Sequence, residues 1–128
     1  MNKKINPRDV HKPLGAYSHT VKVPAGATWV AIAGQVGMDA KGKLGGTFKA
    51  QAELAFRNLV AGVRAQGMRK SDLVKITVFI TDGRQVDAYR AARKKVLGDK
   101  VTPASTLLVV QGLASPDMMI EVEGWAAK

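Results

Sequence analysis

The chain contains two stretches with helical periodicity and five with strand character, and this imbalance limits the folds open to it. Residues 47–66 and 82–97 carry apolar side chains at intervals of three and four, and Thr47 and Asp82 are the expected caps. The strand-like stretches are 18–23, 29–33, 74–81, 105–110 and 119–126. Two helices cover only one face of such a sheet. The sequence therefore predicts a single α/β domain of the α+β kind over residues 1–128, with a mixed sheet, both helices on one face, and an irregular arm at 1–13.

The second face of that sheet is expected to carry too much apolar surface for a solvated monomer. In the last strand Ile120 and Val122 point to the helices, so Glu121 and Glu123 point the other way. We expect this open face to present the large apolar side chains of Phe79, Leu107, Val109, Met119 and Trp125. It is therefore predicted to pack against other copies of the chain. The two carboxylates then need a cation or a ligand, because burying an unpartnered charge is costly.

Composition narrows the range of functions. The 128 residues include no cysteine and two histidines, which argues against a disulfide framework, a cysteine nucleophile and a multi-histidine metal site. No apolar run approaches the roughly 20 residues of a membrane span, and the basic N-terminal stretch lacks an apolar signal core, so a cytoplasmic location without a membrane partner is expected. The net charge of +10 favours binding to a nucleic acid. However, aromatic residues make up only 5% of the chain, which leaves few side chains for base stacking.

Several segments together resemble the Rid family (reactive intermediate deaminase), whose members are also described as L-PSP endoribonucleases or translation inhibitors. They occur in the family's order and cover nearly all of the chain after Pro13. The segments are Gly-Ala-Tyr-Ser at 15–18, Ala-Gly-Gln-Val at 33–36, Asp-Leu-Val-Lys-Ile-Thr-Val-Phe-Ile-Thr-Asp at 72–82, Thr-Pro-Ala-Ser at 102–105 and Ile-Glu-Val-Glu-Gly-Trp-Ala at 120–126.

The resemblance implies a chorismate-mutase-like fold whose sheets close into a barrel in a homotrimer, with the helices outside and a ligand cleft between neighbouring subunits. Catalytic members of the family hydrolyse enamines and imines and release ammonia without a metal or an organic cofactor. In those members an arginine directly follows the Pro-Ala pair and holds the substrate carboxylate by a two-pronged contact. Here that position is Ser105, so the chain resembles an arginine-less branch with altered specificity.

The resemblance also implies individual site residues. Glu121 matches the acidic residue that positions the attacking water and transfers protons, and is the expected catalytic residue. The expected substrate-binding residues are Tyr17, Gly34, Ser105 and Leu107, with Leu107 making the cleft more apolar than in the deaminases. No metal ligand is expected.

Three of these residues also have a purely structural interpretation. Tyr17 can brace the first strand, Gly34 can serve a bend at a strand end, and Glu121 can form an ion pair with Lys75 of a neighbouring strand. For the whole protein, the alternatives to a hydrolase are an RNA-acting ribonuclease or translation inhibitor and a non-catalytic module that binds metabolites or acts as a chaperone.

Overall fold

The computed structural model describes residues 1–128. The strands are β1 (Lys3–Ile5), β2 (Thr20–Lys22), β3 (Trp29–Val36), β4 (Leu73–Ile80), β5 (Ala104–Val109) and β6 (Ile120–Ala127), and the helices are α1 (Phe48–Ala65) and α2 (Val86–Leu97). Short 3₁₀ turns at Lys70–Asp72 and Gly83–Gln85 precede β4 and α2. Neither helix combines the length and apolar composition needed to cross a membrane.

The four long strands form one mixed sheet in the order β3-β6-β4-β5, and both helices pack on the same face of it, as predicted. β6 pairs antiparallel with both β3 and β4, whereas β5 runs parallel to β4 after the crossover through α2. Because β5 has a neighbour on one side only, it is an edge strand of the sheet. The core lies between the sheet and the helices and is centred on fully buried Phe56, Leu59, Ile76 and Val122.

The helix boundaries follow from capping. Thr47 Oγ1 accepts a hydrogen bond from the Ala50 backbone N–H at 3.1 Å, and this satisfies one of the free donors of the first turn of α1. Gly67 has φ +72°, the left-handed conformation that ends many helices, and its N–H donates to Arg64 O. Asp82 caps the 3₁₀ turn rather than α2 itself, so the α-helix begins at Val86, later than predicted.

The arm at 1–13 is not irregular throughout, because Lys3–Ile5 form a strand that pairs antiparallel with β2.

The predicted open face needs two corrections, one for β5 and one for Met119. In the parallel pairing, Ser105 lies beside Ile76 and Leu107 beside Val78, so these β5 side chains share the face that the helices cover. Leu107 packs against the core, and Val109 lies on the same side, beyond the helical layer, where it is 57% exposed. Met119 precedes β6 and also packs against the core.

The uncovered face therefore belongs to a different set of side chains. Trp29, Leu108 and Trp125 are its exposed large apolar residues, and Glu121 and Glu123 stand on the same face. The rings of the two tryptophans meet edge to face, with centroids 6.3 Å apart.

Candidate functional site

A cavity of about 220 Å³ lies at the edge strand of the sheet, between α2, β5 and the segment that leads into β2. It brings together three of the residues that the resemblance indicated, Tyr17, Ser105 and Leu107. The other lining residues are Leu14, Gly15, Ala16, Tyr89, Arg90 and Arg93.

Hydrogen bonds to the start of β5 hold the Gly-Ala-Tyr-Ser segment at the mouth of the cavity. Ser18, which is buried, donates from its backbone N–H to Pro103 O at 3.2 Å and from Oγ to Thr102 O at 2.8 Å. The Tyr17 hydroxyl accepts from the Leu14 backbone N–H at 3.1 Å, and its ring meets the edge of His19. Tyr17 thus holds the Leu14 backbone and lines the cavity, and its binding of a substrate stays a prediction.

The floor of the cavity is made by β5 and α2. Ser105 and Leu107 reach it because the register of β5 turns them toward the helical side of the sheet. Tyr89 of α2 is buried against them. Burial raises the pKa of the Tyr89 hydroxyl, while the neighbouring Ser105 hydroxyl and the charges of Arg93 and Arg90 act in the opposite direction.

Two arginines of α2 complete the cavity wall, and the sequence reasoning did not identify either as a cavity residue. Arg93 is only 4% exposed, and its Nη2 donates to Val101 O at 2.7 Å. Burial lowers the pKa of the Arg93 guanidinium, against the opposing influence of Tyr89 and Asp99. The signal was present in the spacing, since Arg93 stands four residues after Tyr89, on the side of α2 predicted to be buried.

Glu121 and Gly34 lie together, but on the other face of the sheet. The Glu121 side chain crosses the backbone of Gly34 so closely that a Cβ atom at Gly34 would overlap its carboxylate. Within one protomer, β4 separates β6 from β5, so Glu121 lies two strand spacings, about 10 Å, from the strand that carries Ser105 and points away from the cavity.

The ion pair considered for Glu121 is absent. Lys75 Nζ instead donates to Thr106 Oγ1 at 2.6 Å, and in the register of β4 and β6 Lys75 lies opposite Trp125 while Glu121 lies opposite Phe79. None of the protein's ion pairs includes Glu121 or Glu123. The carboxylate of Glu121 is therefore free of a cationic partner in the protomer.

Comparison with known proteins places these features in a family. Residues 8–128 match the family described as endoribonuclease L-PSP. A RutC family protein of Aquifex aeolicus is 37% identical over 118 residues, which cover 91% of each chain. A 2-iminobutanoate/2-iminopropanoate deaminase of Dermatophagoides farinae is 32% identical over 102 residues, 78% of this chain and 77% of that protein.

The fold agrees with the sequence match. The crystal structure of YyfB from Yersinia pestis, a member of the conserved Rid protein family, superimposes with a TM-score of 0.90 at 27% identity, over 99% of this chain and 98% of that one. The cavity at the edge strand, the sheet covered on one face and the match over nearly the whole chain lead to one conclusion: the chain belongs to the Rid family, also described as the endoribonuclease L-PSP family.

Proposed function

We propose that this Rid protein is a homotrimer that binds a small molecule between its subunits and hydrolyses an enamine or imine, releasing ammonia. The observation that carries the proposal is the convergence of Tyr17, Ser105 and Leu107 on one cavity at an unpaired sheet edge. The deaminase of D. farinae, a relative by sequence, has a name that states this chemistry for 2-iminobutanoate and 2-iminopropanoate.

Assembly is needed because the cavity and the carboxylate of Glu121 lie on opposite faces of the sheet in one protomer. Glu121 stands on the uncovered face with exposed Trp29 and Trp125, which are 51% and 46% exposed. Apolar surface of this kind is stabilised by association. When the open faces of three copies close on each other, Glu121 of one copy is proposed to meet the cavity of the next.

The proposed chemistry uses one water molecule per turnover. An enamine protonated at carbon by solvent, or an imine protonated at nitrogen, gives an iminium ion, whose carbon is electrophilic. Glu121 accepts a proton from water as the water oxygen bonds to that carbon, and a tetrahedral carbinolamine forms. Glu121 then delivers the proton to nitrogen, the C–N bond breaks as the hydroxyl group loses its proton to solvent, and the products are a carbonyl compound and ammonia.

Ammonia release after single substitutions tests the mechanism. With 2-iminobutanoate generated in the assay from the parent amino acid, we expect Glu121→Gln to slow the enzymatic reaction about 10²-fold or more, because the amide cannot accept the proton. Glu123→Gln is the matched control, since Glu123 lies two residues along the same strand and on the same face. It should retain the rate within about twofold.

Two results would contradict the proposal. Equal rates for the protein and for Glu121→Gln would remove Glu121 from the reaction. A protein that stays monomeric at micromolar concentration in sedimentation experiments, yet is active, would remove the intersubunit cleft.

A second candidate is action on RNA, favoured by the net charge of +10 and by the description of the family as an endoribonuclease. Arg57 and Arg64 of α1 and Lys94 of α2 are exposed on the helical layer, where a polyanion can reach them. Binding through these residues should weaken steeply as salt rises, and each substitution to Met should reduce the salt slope by about one. Cleavage that vanishes on further purification would exclude the ribonuclease.

A further inference from the structure

Arg93 is a buried cation without an anionic partner. Its guanidinium is almost fully enclosed, yet the protein's ion pairs involve other residues. Asp99, the acidic group that influences it, is 66% exposed at its side chain and pairs with Lys94 at 3.5 Å. Removing a guanidinium from water without a carboxylate partner is costly, so its retention on a cavity wall indicates that an anion completes the site.

The surroundings of Arg93 favour the same conclusion. None of the residues that line the cavity is acidic, and a second guanidinium, that of Arg90, lies on the same wall. Arg90 is half-exposed, and its closest carboxylate oxygen, on fully exposed Asp87, is 4.0 Å away. The hydroxyl groups of Ser105 and Tyr89 add hydrogen-bond donors, so the cavity offers cationic and neutral donors together.

We propose that Arg93, assisted by Arg90, binds the carboxylate of a small organic acid in this cavity. The inference rests on the proposed function, because it names the class of substrate for the same cleft. The arginine expected after the Pro-Ala pair is absent, and its charge is supplied instead from α2, by arginines that line the same cavity as Ser105. A planar guanidinium is suited to two parallel hydrogen bonds with a carboxylate.

The cavity, with a volume of about 220 Å³, favours a small acid. Leu14 and Leu107 add apolar wall to the cavity and so favour a short alkyl chain on the acid.

Calorimetric titration with a matched pair of probes tests the site. 2-Oxobutanoate carries the carboxylate, and 2-oxobutanamide has nearly the same shape without the charge. We expect the protein to bind the acid at least tenfold more tightly than the amide, and Arg93→Met to abolish that preference. Arg93→Lys should retain part of it, because the charge remains while the fork is lost. Lys49→Met, which removes an exposed cation of α1, is the control and should leave the preference unchanged.

Ser105→Asp provides a variant that does not depend on removing Arg93. A carboxylate placed beside the guanidinium should occupy the site, so that 2-oxobutanoate no longer binds while the melting temperature is unchanged or higher. Inorganic phosphate is titrated in parallel, and tighter binding of phosphate than of 2-oxobutanoate would overturn the assignment to a carboxylate. Equal affinity for the acid and the amide, no binding of either, or a preference that survives both Arg93→Met and Ser105→Asp would overturn the site.

The outcomes separate this site from the deaminase reaction. A binding preference that depends on Arg93 in a protein that hydrolyses no imine would support the site and reject the reaction. Hydrolysis at an unchanged rate in Arg93→Met would support the reaction and reject the site.

Discussion

The two faces of the sheet differ in how far the protomer itself buries them. On the face toward the helices, Ile76, Val78, Ile80 and Val122 are fully buried by residues of the same chain. On the other face Trp125 and its neighbours stay half in solvent, although they come from the same strands. Because adjacent residues of a strand point to opposite faces, a single strand contributes side chains both to the buried core and to the partly exposed open face. Stability is therefore expected to depend mainly on the first face, and assembly on the second.

The largest effect is expected from truncating the core. Phe56 of α1 is fully buried and packs against Tyr89, with ring centroids 6.0 Å apart. Phe56→Ala should lower the free energy of unfolding by about 3–5 kcal/mol, because it removes buried apolar surface and leaves a cavity. Chemical denaturation at several protein concentrations measures this cost. It should not vary with concentration, since the neighbours of Phe56 belong to its own protomer.

Phe79→Ala is the matched change on the open face. Phe79 is only partly buried in the protomer, so its truncation should cost about 1–2 kcal/mol in dilute protein. The cost should grow with protein concentration as copies cover the face. A constant cost would count against the open face being an interface.

An intermediate effect is expected from placing a charge on the open face. Trp125→Lys should convert the proposed trimer into a monomer at micromolar concentration, because association would bury an ammonium group among apolar side chains. Sedimentation velocity reports the mass, and far-ultraviolet circular dichroism should show the fold retained. Ala61→Lys, on an exposed position of α1, should not change the mass. Identical sedimentation of the parent protein and Trp125→Lys would show that the face is not the contact.

The smallest effect concerns a buried hydroxyl on the covered face. The pKa of Tyr89 is raised by burial, so the folded protein holds the neutral form more firmly than the unfolded chain does. The stabilisation is fully present below the unfolded pKa of about 10 and is lost as the pH rises above it through the higher folded pKa. Tyr89→Phe should remove this alkaline decline and lower the free energy of unfolding at neutral pH by about 1 kcal/mol or less, because the hydroxyl group no longer interacts with Ser105.

Denaturation curves of both proteins from pH 8 to 11 check this expectation. The difference in unfolding free energy between the parent protein and Tyr89→Phe should shrink with rising pH. A difference that stays constant would mean that the Tyr89 hydroxyl titrates in the folded protein as it does in the unfolded chain.

Sequence patterns predicted the elements well where one periodicity dominates. The apolar stripe of 47–66 indicated α1 to within a residue at each end, and the strict alternation of 74–81 gave the correct face for the side chains from Lys75 to Ile80. The register shifts between Leu73 and Lys75, so Leu73 rather than Val74 joins the core cluster. In β5 the pattern was ambiguous, because Leu107, Leu108 and Val109 are consecutive apolar residues, so apolar side chains point to both faces of the sheet. Only the parallel register with β4 decides which of them face the helices, and this register turned Leu107 toward the cavity.

The sequence by itself determined the family, the two helices with their caps, and the presence of a tyrosine, a serine and a carboxylate in the family's motifs. The tertiary structure decided how these groups are distributed: Tyr17 and Ser105 meet at the sheet edge with Arg93, whereas Glu121 lies on the far face. The physical reason is that local periodicity depends on neighbours three or four residues away, but burial and charge depend on strand order and register. Those bring together residues almost ninety positions apart, and no local pattern records them.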